Sequence, residues 1–465
     1  MKMEDMAQTI TDLVVIGGGA AGVAAAVRAR QLGARVTLVE AEQLGGVCMN
    51  KGCIPTKCLM ETAHLYWRLR GAEQLGLRVA RVELDWDQIM ARKEDLVGYL
   101  RMGTEGVLKS NGVELLKGPA QFQTPKSIRV GRQVLAAERF ILATGSSWGI
   151  LGLDGEASQR VVTTDWLLNM RDVPEEVLVL GGGPVELEAA QYLLFLGSRV
   201  TLVESGPRIL PQEDREMARR LSSALREQGM NILTGASPVS IQDAEAKVCL
   251  VVKTKEGERN LEASLVLHAR RVPNLAGLHP ERAGLSMAHG MIQADGHLRT
   301  SQAHILAAGD VTGPPFYSHR ASAMALLAAR NALGSQEVFE QARVPRAFFT
   351  YPEMACVGLT EAQAKERGHK VRSATIPYSV NAKAMMALET DGAVKIVSDA
   401  RYGEILGVHI VGPHATELIS EGALAMELEA TAEDLAGAIR LHPSLSESQV
   451  EAARECLGRG VYVMR

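Results

Sequence analysis

Val14–Glu40 reads VVIGGGAAGVAAAVRARQLGARVTLVE, and Leu178–Glu204 reads LVLGGGPVELEAAQYLLFLGSRVTLVE. The two stretches align without a gap and share LGxRVTLVE at their ends, so the chain carries one unit twice. Each copy runs from an apolar, β-branched stretch through a glycine turn into an Ala- and Leu-rich segment of helix length. It then passes a second glycine (Gly33, Gly197) into another apolar stretch that ends in Glu. Strand, crossover helix and strand make a βαβ unit. Two copies predict an α/β chain with two Rossmann-like nucleotide-binding domains.

In the first copy Gly17, Gly19 and Gly22 satisfy G-x-G-x-x-G between strand and helix. Missing side chains let the backbone approach a pyrophosphate there, and the N-terminus of the following helix stabilises its charge. Glu40 ends the second strand, where it can accept hydrogen bonds from a ribose 2′-hydroxyl. Glycine turns also serve plain strand-to-helix packing, but the fingerprint together with the strand-terminal Glu favours a dinucleotide. The second copy keeps Gly181 and Gly183 and has Glu186 at the third glycine position, where close packing normally leaves no room for a long charged side chain. Glu204 stands where a 2′-phosphate would lie and would repel it, which predicts NAD rather than NADP. The nearby Arg208 is the residue that argues otherwise.

Composition narrows the function classes. The chain has 465 residues, and at about 150 residues per domain this suggests roughly three domains. Lys plus Arg number 50 against 54 Asp plus Glu, a balance of −4, too weak to imply nucleic acid or an anionic membrane as a partner. Leu13–Val27 is the longest uncharged apolar stretch near the start; it is shorter than the roughly 18 residues of a spanning helix and holds the glycine turn. The polar Met1–Met6 segment has no apolar run ending in a cleavage site, so the expected compartment is the cytoplasm. Six cysteines, Cys48, Cys53, Cys58, Cys249, Cys356 and Cys456, form no disulfide framework in so long a chain.

The close pair lies in GGVCMNKGCIPTK, Gly45–Lys57, where Cys48 and Cys53 are separated by four residues and Pro55 can open a helix. In an ideal helix this spacing points the side chains apart, so a bond between them requires a distorted turn, which Gly52 helps to supply. Zinc is the rival reading, but four tetrahedral ligands are needed and no second Cys or His pair follows at finger spacing, so no metal is expected.

With these residues the chain resembles the flavin-dependent pyridine nucleotide-disulfide oxidoreductases over nearly its whole length, and most of all the branch that oxidises dihydrolipoamide. The resemblance rests on the first glycine fingerprint, GGVCMNKGCIPTK, ILATGS at Ile141–Ser146, ILAAGDVTG at Ile305–Gly313 and LHPSLSE at Leu441–Glu447, in the family's order. It implies FAD on the first repeat, bound by Gly17, Gly19, Gly22, Glu40, Gly46, Lys57, Thr144, Gly145 and Asp310, and NAD on the second, bound by Gly181, Gly183 and Glu204. It also implies that Cys53 lies against the flavin as the thiolate, that Cys48 exchanges with substrate, and that Lys57 pairs with Glu188 near the flavin. Thiol exchange needs a base, since a Cys with a pKa of about 8.5 is mostly protonated at neutral pH. The family's base is here His442, oriented by Glu447 and reaching Cys48 of the other subunit of a homodimer.

The implied division is an FAD domain with the redox pair over residues 1–149, an NAD domain over 150–274, a return segment of the FAD domain over 275–344 and a C-terminal α+β interface (dimerisation) domain over 345–465. In the last, PYSVNAKA at Pro377–Ala384 and ETDGAVKI at Glu389–Ile396 alternate as a sheet would, and Gly422–Ala436 reads as helices over it. The expected partner is a lipoyl-bearing protein. Three departures from the family pattern stand out: Glu186 and Arg270 replace glycines, and Arg440 replaces the first His of H-x-H-P. The first two keep two alternatives open. One is an NADH-dependent reductase of another disulfide or a metal ion, akin to the mercuric reductases, although the terminal GVYVMR lacks their cysteine pair. The other is a flavoprotein subunit of a larger complex with an altered NAD site.

Overall fold

The structure, a computed structural model, describes residues 9–462; the Met1–Met6 segment and the last three residues of GVYVMR lie outside them. The chain forms two compact units, one from residues up to 61 with 83–150 and 270–340, the other from 62–82, 151–269 and 341–465.

In the first unit the first repeat folds as Thr9–Ile16, helix Ala20–Gln31 and Val36–Glu40. Its strands pair in parallel, with Leu13 beside Val36 and Ile16 beside Val39. Gln133–Leu142 pairs in parallel on the other side of Thr9–Ile16, and Ile305–Ala307, from the returning segment, pairs with Gln133–Leu142 in turn. The period of two divides the central strand between two cores. Leu13 and Val15 face an alanine layer, Ala25, Ala26 and Ala29 of one helix against Ala325, Ala328 and Ala329 of helix Ser318–Ala332. Val14 and Ile16 face Phe122, Ile128 and Phe140. Burying each of these aromatic or aliphatic side chains stabilises by roughly 1.5–3 kcal/mol, and small residues between helices let the backbones approach closely.

In the second unit the second repeat builds a parallel five-stranded sheet in the order Asn231–Thr234, Arg199–Glu204, Glu176–Leu180, Leu265–His268, Val161–Thr163. The C-terminal part is an antiparallel five-stranded sheet, Arg346–Phe348, Glu353–Gly358, Ile405–Gly412, Ala393–Asp399 and Val371–Pro377. Helices Ala415–Glu427, Ala432–Gly437 and Glu447–Cys456 pack on it through Ala415, Ile419, Leu435 and Ala452. ETDGAVKI supplies the strand Ala393–Asp399, but PYSVNAKA does not continue as sheet. After Pro377 the chain makes a short turn of 3-10 helix and then helix Ala382–Ala387, because Asn381 accepts the Ala384 N–H at 3.1 Å and opens a run of good helix formers. Among the described residues no helix is long and apolar enough to cross a membrane. The fold is α/β with two Rossmann-like halves and an α+β C-terminal part.

Candidate active site

The two glycine turns have the same internal geometry. Gly17 N–H donates to the Val39 carbonyl at 2.7 Å and Gly181 N–H to that of Val203 at 2.8 Å. Gly18 N–H donates to Glu40 Oε2 at 2.5 Å, and Gly182 N–H to Glu204 Oε2 at 2.6 Å. Each strand-terminal Glu is thus held at its own turn, with its second oxygen accepting from Glu42 N–H at 2.7 Å and from Gly206 N–H at 2.5 Å respectively.

At the first turn Gly17 adopts φ +105° and abuts the Ala143 carbonyl, while a Cβ on Gly22 would overlie the Gly17 carbonyl oxygen. Helix Ala20–Gln31 begins there with Gly19 as its cap, no side-chain cap bond and no acidic residue in its first turn. Its leading N–H groups therefore suit an anion. Gly46 is packed against the turn, where a Cβ would come within 2.9 Å of Gly19 Cα. Behind it Asn50 ties the backbone, donating to the Gly46 carbonyl at 2.8 Å, and Arg101 donates to Asn50 Oδ1 at 2.7 Å. Thr144 Oγ1 is buried without a hydrogen-bond partner among the described residues, the mark of a group that awaits a ligand. Asp310 accepts from Ser146 Oγ and from Arg271 Nη2, both at 2.7 Å, and Arg271 lies 5.2 Å from the centre of the Phe316 ring. An uncapped helix start, an orphaned hydroxyl and a held carboxylate fit FAD. Arg271 was missed from sequence because its neighbour Arg270 drew the reading.

The redox segment breaks as the spacing requires: helix Gly46–Asn50 carries Cys48, Lys51 and Gly52 interrupt, and Cys53 opens helix Cys53–Arg70. Both cysteines are half-buried thiols here. The hydrogen bond from the Cys48 thiol is the main influence that draws Cys53 down to about 6, against its burial; Ser318 and the Lys57 cation also favour its thiolate. Ser318 Oγ lies 3.5 Å from Cys53 Sγ and is a further site residue that no short motif announced. Cys48 is pushed the other way, first by its bond to Cys53 and then by burial. The pair is thus polarised, with the thiolate on Cys53.

In the second unit His442 Nδ1 lies 2.9 Å from Glu447 Oε1, and Glu447 Oε2 accepts the Ser444 N–H at 2.8 Å. Burial raises the Glu447 carboxyl, but the Ser444 N–H and His442 outweigh it and leave the group below the usual range. An ionised Glu447 fixes the proton on Nδ1 and leaves Nε2 as the basic nitrogen. The ring is 75% exposed, on a loop whose Ile439 and Leu441 are also exposed. Arg440 pairs with Glu421, which also accepts from Gln449 Nε2 at 3.2 Å. Glu188 is buried and accepts the Phe349 N–H at 2.9 Å.

Arg208 is engaged by carbonyls, donating to Leu210 at 2.9 Å, Pro211 at 2.6 Å and Glu213 at 3.0 Å, which favours Glu204 and hence NAD. Arg270 is exposed, and its carbonyl accepts the Gly149 N–H at 2.9 Å. Among the described residues there is no group of three or more His, Cys, Asp or Glu side chains that could hold a metal ion.

Residues 11–334 match the pyridine nucleotide-disulphide oxidoreductase family, and residues 344–453 match the dimerisation domain of the same family. The chain is 39% identical to a dihydrolipoyl dehydrogenase of Thermus scotoductus, covering 97% of this chain and 99% of that one. The solved structure of LpdA from Mycobacterium tuberculosis superposes with a TM-score of 0.88 at 30% identity, covering 96% of this chain and 99% of that one. The HOCl-induced flavoprotein disulfide reductase RclA of Escherichia coli superposes with a TM-score of 0.83 at 29% identity, covering 95% and 99%. With the redox segment, both glycine turns and the C-terminal sheet in place, the chain belongs to the pyridine nucleotide-disulphide oxidoreductase family, enzymes that use FAD and NAD.

Proposed function

We propose that this enzyme oxidises protein-bound dihydrolipoamide to lipoamide and delivers the electrons to NAD. The observation that carries this reading is the polarised pair: Cys53 is disposed to leave as a thiolate, and Cys48 to receive the incoming sulfur. The cycle starts from a Cys48–Cys53 disulfide. One substrate thiol, deprotonated by His442 Nε2, attacks Cys48 Sγ, the disulfide breaks and Cys53 departs as the thiolate. The second substrate thiol attacks the substrate sulfur of the mixed disulfide, and its proton passes to the departing Cys48 Sγ. Lipoamide leaves, Cys48 is released, and the protein holds the two electrons as a dithiol. FAD, which Gly17, Gly19, Gly22, Glu40, Thr144 and Asp310 would hold, would supply the two-electron relay between that dithiol and NAD, with the Cys48–Cys53 disulfide re-formed. Lys57 keeps the thiolate charge favourable, and in this reading it also pairs with Glu188.

His442 acts from the partner subunit of a homodimer, which the exposed apolar residues Ile439 and Leu441 on its own loop support. Residues 1–149, 150–274, 275–344 and 345–465 then divide the labour as FAD, NAD, returning FAD and interface segments. The proposed setting is the cytoplasm, where thiols such as Cys58 and Cys249 stay reduced.

Anaerobic titration of the flavin spectrum with dihydrolipoamide, and separately with NADH, tests the reading. Reduction by both is expected. Reduction by NADH with no response to the dithiol would replace it by a reductase of a different disulfide.

A further inference from the structure

The second glycine turn differs from the first in one side chain. Glu186 lies in the first turn of helix Pro184–Leu196, whereas the first turn of helix Ala20–Gln31 holds no acidic residue. Its side chain folds back over the loop: a Cβ built on Gly183 would lie 2.7 Å from Glu186 Oε2, and one built on Gly181 would lie 3.2 Å from Glu186 Cγ. The carboxyl group therefore rests against the two glycines whose bare backbone receives a pyrophosphate. A helix start favours one negative charge, whichever group supplies it, so a resident carboxylate and a nucleotide diphosphate compete for one place.

We propose that Glu186 is a built-in competitor for the pyrophosphate of NAD, so that the nucleotide binds only when this carboxyl group is neutral or turned away. The inference rests on the reading of NAD as the electron acceptor and adds its regulation. The titratable groups facing Glu186 are Glu204 at the end of Arg199–Glu204 and Glu188 on its own helix, both acidic. Burial raises the Glu186 carboxyl to about 7 against the pull of its own backbone N–H, and Glu204 and Glu188 push it further up. Protonation thus falls within the physiological range. The sign follows: below that value the group is neutral and the turn accepts the diphosphate, and above it the carboxylate repels the diphosphate.

The test is direct binding of NAD to the oxidised holoenzyme by calorimetry at about pH 6 and about pH 8, in the wild type, E186Q and E186G. The nucleotide does not react with the oxidised enzyme, so the readout is affinity alone, and bound flavin reports that each variant has folded. If only the neutral form binds, the wild-type Kd weakens about tenfold between the two conditions, while E186Q and E186G bind with equal affinity at both. The same weakening in E186Q as in the wild type overturns the role of Glu186 and leaves the NAD reading standing. Absence of NAD binding by every form at both conditions overturns the NAD reading, and this inference with it.

Discussion

The Cys48 and Cys53 thiols are chemically alike in sequence and opposite in the fold. Because Cys48, Ser318 and Lys57 all favour the Cys53 thiolate, the reduced enzyme is expected to show an ultraviolet thiolate band present above about pH 6 and lost as the pH falls through that value. Replacing Lys57 by Met removes one cation and moves the midpoint upward; a spectral pH titration that finds no movement rejects the assignment. Cys48→Ser leaves no sulfur for the mixed disulfide and lowers dihydrolipoamide turnover by about 10³-fold or more, read in a steady-state assay. Activity retained in that variant would end the exchange scheme. The dependence on charge also explains why the cysteine spacing was legible while Ser318 was not, since Ser318 is brought beside Cys53 from 265 positions away.

Helix starts and loops decide where these groups stand. The first glycine turn is tight because Gly22 lies directly over the Gly17 carbonyl, so Gly22→Ala must open the turn proposed to receive the FAD pyrophosphate. The variant is expected to purify largely without flavin, measured as the ratio of visible to protein absorbance, and a normal flavin content would contradict the placement. At the other end of the chain the loop that carries His442 is fastened by Arg440 to Glu421, and Glu421 in turn to Gln449 on helix Glu447–Cys456. Both ionic side chains are less than one-third exposed, so Arg440→Met leaves a half-buried carboxylate short of a partner and lowers stability by about 1 kcal/mol. A fall in melting temperature together with a lower kcat for the dithiol is expected; Arg440→Lys should recover part of it. Where the family carries a His, this chain thus has a brace for the loop.

At the scale of the whole molecule the proposal requires two chains at each active site. Cys48→Ser and His442→Gln homodimers are each expected to be inactive, but a mixed dimer keeps one intact site of its two, and its activity should return to about half that of the native dimer. No recovery on mixing would place Cys48 and His442 in one chain. Whereas the pairing of His442 with Glu447 came only from the family resemblance, the sequence by itself determined the repeated βαβ unit, the glycine turns, the strand-terminal Glu40 and Glu204 and the redox spacing. Each of these is local: a turn, a helix start or a few residues of spacing dictates it, and local geometry follows from local chemistry. Tertiary structure alone decided the rest. Asn381 turned an alternating stretch into a helix, Arg271 and Ser146 converged on Asp310, and Arg208 was drawn onto three carbonyls. Glu186, read from sequence only as an awkward replacement, became a carboxylate lying against Gly181 and Gly183. Charge and hydrogen bonding act through space, so a side chain's partners, and with them its ionisation, are fixed only when distant segments meet.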